Sequence, residues 1–197
     1  MSPTGGVSPR FRLCRKSIMT TIAIISAGTR TPSQSSALAG CFADRLQGSA
    51  SSPQPHLIEL RTLATSILLA TLTGESDTGL RNALQCLQQA DAMIMVTPLH
   101  NGSYSGLFKM FVDPIEPDAI RSKPVLLAAS GGTTRASLAL DGPVRSLFGC
   151  LRALVAPTVV LATPADWAGP GTPGPELGDR IARASDEIAA LIGGLTP

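Results

Sequence analysis

The chain has 197 residues, of which 44% are apolar, and a formal net charge of +2 at pH 7. That length and apolar content predict one domain with a sizeable core, and the apolar runs are far too short for a membrane span. Arg10, Arg12, Arg15 and Lys16 place four positive charges in the first sixteen residues, leaving twelve basic against fourteen acidic groups in the rest. A mildly acidic body argues against nucleic acid as the main partner. Cys14, Cys41, Cys86 and Cys150 form no Cys-x-x-Cys pair, and only two histidines accompany them. Neither a metal site nor a disulfide framework is expected, so the expected compartment is the reducing cytoplasm. Cys41 and Cys86 fall within helical patterns and are expected in the core. Residues 1–17, rich in Pro, Gly, Ser and Arg, read as a disordered extension without the apolar segment of a secretory signal. Residues 18–197 read as the single folded domain, with its functional beginning near Met19.

In chain order, Thr21 to Ser26 is a β-branched apolar run and predicts the first strand. After the loop Ala27 to Pro32, Ser33 is a suitable cap for a helix whose stripe is Leu38, Phe42 and Leu46, with Gly48 to end it. Ser49 to Pro55 reads as a linker. His56 to Leu60 predicts a second strand, Thr62 to Leu72 a weakly patterned helix, and Gly74 to Gly79 a turn. Leu80 to Ala90 predicts an amphipathic helix through Leu80, Ala83, Leu84 and Leu87. Ala92 to Val96 predicts a buried third strand that stops at Thr97-Pro98, since proline cannot donate to a ladder. A small polar loop, Leu99 to Ser103, leads to a helix over Ser105 to Val112, which Asp113-Pro114 breaks.

Lys123 to Ala129 predicts strand four, followed by the loop Ser130-Gly-Gly-Thr-Thr. Ala136 to Leu154 is helical in composition, with Gly142-Pro143 predicting a kink or a restarted helix. Thr158 to Ala162 predicts strand five, Thr163 to Pro175 a loop holding Trp167, and Pro175 to Ile192 a last helix with Ile181, Ala184, Ile188 and Leu191 on one face. Strands alternating with helices predict an α/β three-layer sandwich with a five-stranded parallel sheet. The expected order is 2-1-3-4-5, flavodoxin-like, which puts the loops after strands one, three and four side by side at the switch point.

Those three loops carry the chemistry. The first, Ser26 to Ser36, is rich in hydroxyls, holds Arg30 and opens a helix, whose free N–H groups and dipole favour a phosphate. It is neither a Gly-x-Gly-x-x-Gly fingerprint nor a nucleoside-triphosphate loop. The second, Pro98 to Ser103, offers backbone donors and Asn101, although Asn101-Gly102 is equally a turn pair. The third, Ser130 to Thr133, offers a Gly-Gly backbone that a ring can approach closely. A planar heterocycle edge suits these donors, and a flat ring with one phosphate is flavin mononucleotide (FMN).

The run Thr97-Pro-Leu-His-Asn-Gly-Ser, followed by Tyr104-Ser-Gly-Leu-Phe-Lys, resembles the signature of the NADPH-dependent FMN reductase family. Arg30-Thr-Pro-Ser-Gln-Ser-Ser is similar to that family's phosphate loop. Ser130-Gly-Gly-Thr-Thr-Arg and Leu138 to Leu154 look like the branch that supplies reduced flavin to two-component monooxygenases. The likeness spans about Thr21 to Trp167. It implies a flavodoxin-like FMN-binding domain, NAD(P)H as donor, and a homodimer or homotetramer. It further implies that Ser26, Arg30, Ser33 and Ser35 surround the phosphate. Pro98, Leu99, His100, Asn101, Gly102, Ser103, Ser130, Gly131, Gly132 and Thr133 would line the ring. Three departures stand out: His100 where the family usually has Tyr, Ala27-Gly28 where it has Gly-Ser, and Gly142-Pro143 inside a helix.

In this reading the flavin accepts hydride from a nicotinamide stacked on its open face, so no catalytic acid or base and no metal is expected. His100 reads either as an imidazole donating to a flavin carbonyl or, the favoured reading, as a loop residue meeting FMN through its backbone alone, and His56 as structural. Tyr104 is expected to pack, while Trp167 would cover the pocket or sit between subunits. The competing readings are a quinone, azo or metal-oxyanion reductase with bound FMN, a non-enzymatic flavodoxin-like electron carrier, and a degenerate module without flavin.

Overall fold

The computed structural model describes residues 20–47 and 53–195, with side chains to residue 194. The expected extension over 1–17, Cys14, Gly48 as helix stop and most of the expected linker lie outside the described residues. Five strands lie parallel: β1 Thr21–Ser26, β2 Gln54–Glu59, β3 Ala92–His100, β4 Pro124–Ser130 and β5 Leu154–Ala162. Their order is β2-β1-β3-β4-β5, as expected from the alternation of elements. Alternate residues along each strand feed two separate cores. Ala23, Ile25, Met93 and Met95 face one layer, which holds the helices α2 Ala64–Thr73, α3 Thr78–Gln89 and α4 Gly106–Val112. Ile22, Ile24, Ile94 and Val96 face the other, which holds α1 Gln34–Leu46 and a last helix, Pro175–Leu195. Strands buried on both sides need continuous apolar sequence, and β4 is buried from end to end.

The local signals account for most of the boundaries. Ser33 caps α1 by accepting from the Ser36 amide at 3.2 Å, and Leu38, Phe42 and Leu46 are its buried stripe. Asp77 caps α3 by accepting from the Leu80 amide at 2.8 Å. Gly74 closes α2 with φ +78°, the left-handed conformation that a glycine adopts without steric cost. Ser105 caps α4 by accepting from the Phe108 amide at 3.2 Å.

Several expectations are corrected. Strand β3 does not stop at Thr97-Pro98; it runs on to His100. The reason is the short reach of β1. The Val96 carbonyl still accepts from Ala27 on the β1 side at 2.9 Å. Pro98, two residues on, turns its missing N–H toward the same side, where β1 has already ended. Residues Leu99 to Ser103 are therefore no open loop. Leu99 pairs with Tyr104 and His100 with Ser103 in an antiparallel hairpin, which adds a short sixth strand, Ser103–Tyr104, to the sheet. Asn101 (φ +51°) and Gly102 (φ +79°) form its tip, and two successive positive φ values mark a primed hairpin turn.

Gly142-Pro143 does not restart its helix. A π turn over Leu140–Val144 absorbs the proline, whose absent N–H is lost where the ladder is already irregular, and helix continues over Arg145–Cys150. The helix stops there rather than at Leu154, and β5 begins at Leu154 instead of Thr158. Pro157 is accommodated because the β4–β5 register shifts between Val125 and Leu127. The expected loop Thr163 to Pro175 contains a small hairpin, Trp167–Gly169 against Thr172–Pro173. Cys41 and Cys86 are half-buried rather than core, and Cys150 is exposed.

The hairpin after β5 is tied to the last helix by Asp166. Its carboxylate accepts from the Thr163 amide and hydroxyl, both at 2.7 Å, and pairs with Arg180. Burial opposes ionisation of this carboxyl, but the Thr163 bonds and Arg180 outweigh it and hold its pKa below the ordinary range. A depressed carboxyl pKa contributes stability that is complete above about pH 4 and fades as pH falls through the folded value. Asp166→Asn should therefore lower stability at pH 7 by about 1–2 kcal/mol. Urea unfolding at pH 7 and again below pH 4 checks this, with the difference shrinking at the acidic pH.

Candidate functional site

The cleft follows from where the strands end. β1 and β3 are paired only as far as Ser26 and Val96, while β3 and β4 stay paired to Pro98 and Ser130. Past Ser26 the chain leaves for α1, so β3 stands alone on that side and a crevice opens at the carboxyl ends of the strands. This is the switch point of a doubly wound sheet. The crevice has a volume of about 270 Å³. Gly28, Thr29, Arg30, Pro32, Ser33, Gln34 and Ser35 line one wall, Pro98, Leu99 and His100 a second, and Ser130, Gly131 and Gly132 a third.

The first wall has free hydrogen-bond donors and positive charge. The amides of Gln34 and Ser35, in the first turn of α1, have no acceptor among the described residues. Their N–H groups and the positive end of the helix dipole are thus available to a ligand. Arg30 is exposed at the mouth, and its guanidinium has no partner among the described residues. Gly28 is required by close packing, because a Cβ there would lie 2.0 Å from Ser33 Oγ. Gly-Ser in place of Ala27-Gly28 would thus collide with the Ser33 cap. The Thr31–Pro32 peptide is cis.

The floor is fixed by a buried hydrogen bond between Ser35 Oγ and Ser130 Oγ at 2.7 Å, which joins α1 to the end of β4. Gly131 lies against Ala136 and Leu161, where a Cβ would come within 2.8 Å of Ala136 Cβ. Its amide donates to the Ala162 carbonyl at 2.9 Å, so the third wall is anchored to β5. Gly132 is exposed beside it.

Nine of the expected site residues meet in this cleft: Arg30, Ser33, Ser35, Pro98, Leu99, His100, Ser130, Gly131 and Gly132. Five do not line it. Ser26 is buried behind it, its hydroxyl shared with Ser36 Oγ at 3.2 Å. Asn101, Gly102 and Ser103 form the far end of the hairpin, and Thr133 lies past the third wall. Trp167 is packed on the α1 side of the sheet and does not line the cleft. Tyr104 packs on Phe108 with ring centroids 6.0 Å apart. His56 lies in β2, paired with Ala23. Sequence reasoning missed Ser36, Glu59 and Arg61, which stand directly behind the first wall. Only their contacts in three dimensions mark them, since β2 carries no motif. Among the described residues no group of His, Cys, Asp and Glu could hold a metal ion, and no helix is long and apolar enough to cross a membrane.

The order of the sheet and the crevice at its switch point define a flavodoxin-like α/β protein. Residues 20–168 match the model of the NADPH-dependent FMN reductase family, and the chain belongs to that family. A relative from Pseudomonas fluorescens (strain Pf0-1), NADH-dependent FMN reductase SfnF, is 36% identical over 87% of this chain and 91% of its own length. The FMN reductase (NADPH) of Pseudomonas aeruginosa is 32% identical over 88% of this chain and 92% of its own. Among solved structures, an oxidoreductase from Corynebacterium diphtheriae superposes with a TM-score of 0.79 at 36% identity, covering 90% of this chain and 99% of that one. The chain is accordingly an NAD(P)H:FMN oxidoreductase.

Gly28→Ala should disturb the site through the Ser33 cap. Losing a helix cap costs about 1 kcal/mol, so Gly28→Ala should lower stability by at least that much. The double variant with Ser33→Ala should cost less than the sum of the two, since the clash with Oγ is then gone. Thermal unfolding of the three variants measures it.

Proposed function

We propose that the cleft takes FMN with its phosphate at the first wall and its ring against the second and third, and that the chain reduces FMN with NADH or NADPH. The observation that carries this reading is the meeting of two unlike surfaces in one crevice. One offers the unpaired amides of Gln34 and Ser35 with the free Arg30 guanidinium. The other is formed by Pro98 to His100 and Ser130 to Gly132, with two adjacent glycines that carry no side chain. The donor set suits a phosphate monoester, and the walls leave room for a planar ring.

Bound FMN supplies the hydride-accepting ring. The chain's own residues bind and orient. The first turn of α1 and Arg30 hold the dianion, the Ser35–Ser130 bond keeps the two sides of the floor in register, and Gly132 leaves space for a ring edge. His100 is exposed at the hairpin, and its imidazole has no hydrogen-bond partner among the described residues. Its place supports a backbone contact with the flavin, and no side chain is assigned a proton-transfer role. Asn101, Gly102, Ser103 and Thr133 belong to the outer rim in this reading, and Ser26 supports the loop from behind.

Delivery of reduced FMN to a partner monooxygenase extends the same reading, supported by the similarity to SfnF-type FMN reductases. A homodimer or homotetramer is part of it. The charge-free helix α2 exposes Leu68, Leu69 and Leu72, the last by 73%, and such an apolar face supports self-association. The free thiols Cys41, Cys86 and Cys150 fit the reducing cytoplasm.

The test is NADH and NADPH oxidation by the purified chain with and without added FMN. A rate that rises with FMN supports the reading. A tightly held flavin that turns over only with a quinone or dye would replace it with an acceptor reductase. Arg30→Ala should weaken FMN binding by about 1–3 kcal/mol, the loss of a charge-assisted hydrogen bond; unchanged affinity removes Arg30 from the phosphate site.

A further inference from the structure

Behind the first wall runs a chain of polar side chains to which flavin binding gives no direct role. Ser26 Oγ and Ser36 Oγ share a hydrogen bond at 3.2 Å, and the Ser36 hydroxyl donates to Glu59 Oε2 at 2.8 Å. Arg61 Nε lies 3.5 Å from the same carboxylate oxygen. Arg61 Nη1 then reaches forward, donating to the Arg30 carbonyl at 3.1 Å and to Thr31 Oγ1 at 2.7 Å. The chain thus leaves the end of β1, crosses the first turn of α1 and the end of β2, and returns to the loop that holds Arg30. Among the described residues, no other side chain hydrogen-bonds the segment Thr29 to Pro32.

Resting on the FMN reading above, we propose that Glu59 and Arg61 are positioning residues for the flavin phosphate. Two physical arguments support this. The segment Thr29 to Pro32 is exposed and contributes no ladder hydrogen bonds, so without a tether it must be ordered at the moment of binding, which costs affinity. Arg61 orders it beforehand. The second argument is charge. The Glu59 carboxylate is only 21% exposed and stands behind a site for a dianion, where like charge opposes binding. Arg61 neutralises it at short range. A planar fork suits both tasks at once, linking Nε to the carboxylate and Nη1 to the loop, which a lysine ammonium cannot reproduce.

The experiment compares FMN with riboflavin, which has the same ring and no phosphate, by fluorescence titration of the full chain. The wild type should prefer FMN. Arg61→Ala should raise the Kd for FMN about tenfold, the loss of one charge-assisted interaction, and leave that for riboflavin within about twofold. Arg61→Lys should fall between Arg61→Ala and wild type. Adding Glu59→Gln to Arg61→Ala should recover part of the loss, because the uncompensated charge is then removed. A purely structural role would weaken both flavins in proportion and overturn the proposal, as would an unchanged FMN preference in both Arg61 variants. If the wild type binds FMN and riboflavin equally, the phosphate site itself is absent, and the FMN reading fails together with this inference.

Discussion

The difference in reach between β1 and β3 governs this molecule. Both strands start level at the amino end, but β1 gives up its place after Ser26 while β3 continues to His100. A parallel strand that loses its neighbour leaves unpaired backbone facing the gap, and such groups need partners. Here the gap becomes the crevice. The departing chain supplies the amino end of α1 on one side, and the hairpin supplies a stiff wall on the other. Pro98 is the residue that makes the overhang tolerable, because it has no N–H to leave unsatisfied.

The walls are held by hydrogen-bonded links between elements rather than by the loops themselves. Ser35 and Ser130 join α1 to β4, Gly131 joins β4 to β5 through its amide, and Arg61, in the turn that follows β2, reaches the exposed loop. Each link ties a strand end to an element on another strand, so the crevice depends on the whole sheet holding its order. A site whose groups are already held binds without a large ordering cost. The two cores on either side of the sheet, built from alternate residues of the same strands, supply that rigidity.

Much of this is legible in the residues. The β-branched run Thr21 to Ser26, the Ser33 cap and the Leu38–Phe42–Leu46 stripe mark β1 and α1 within a residue, because local chemistry decides them. The strand order follows from alternation of elements, and with it the meeting of three loops. The failures lie where tertiary context overrides a local rule. Proline normally ends strands and helices, yet Pro98, Pro143 and Pro157 each sit inside an element, where the neighbouring strand has ended, a π turn intervenes, or the register slips. Asn101-Gly102 carried two meanings in sequence, and its turn meaning moved those residues to the rim. Glu59 and Arg61 were invisible because their importance comes from contacts with Ser36, Arg30 and Thr31, more than twenty positions away in the chain.

The most direct measurement is a structure of the protein with FMN. The account predicts phosphate density against the amides of Gln34 and Ser35 and the Arg30 guanidinium, with the ring between Pro98 to His100 and Ser130 to Gly132. Flavin found elsewhere would contradict it, for example in the groove at the opposite end of the sheet lined by His56, Gln85 and Asp91. The same holds for a flavin in the cleft with its phosphate turned away from α1.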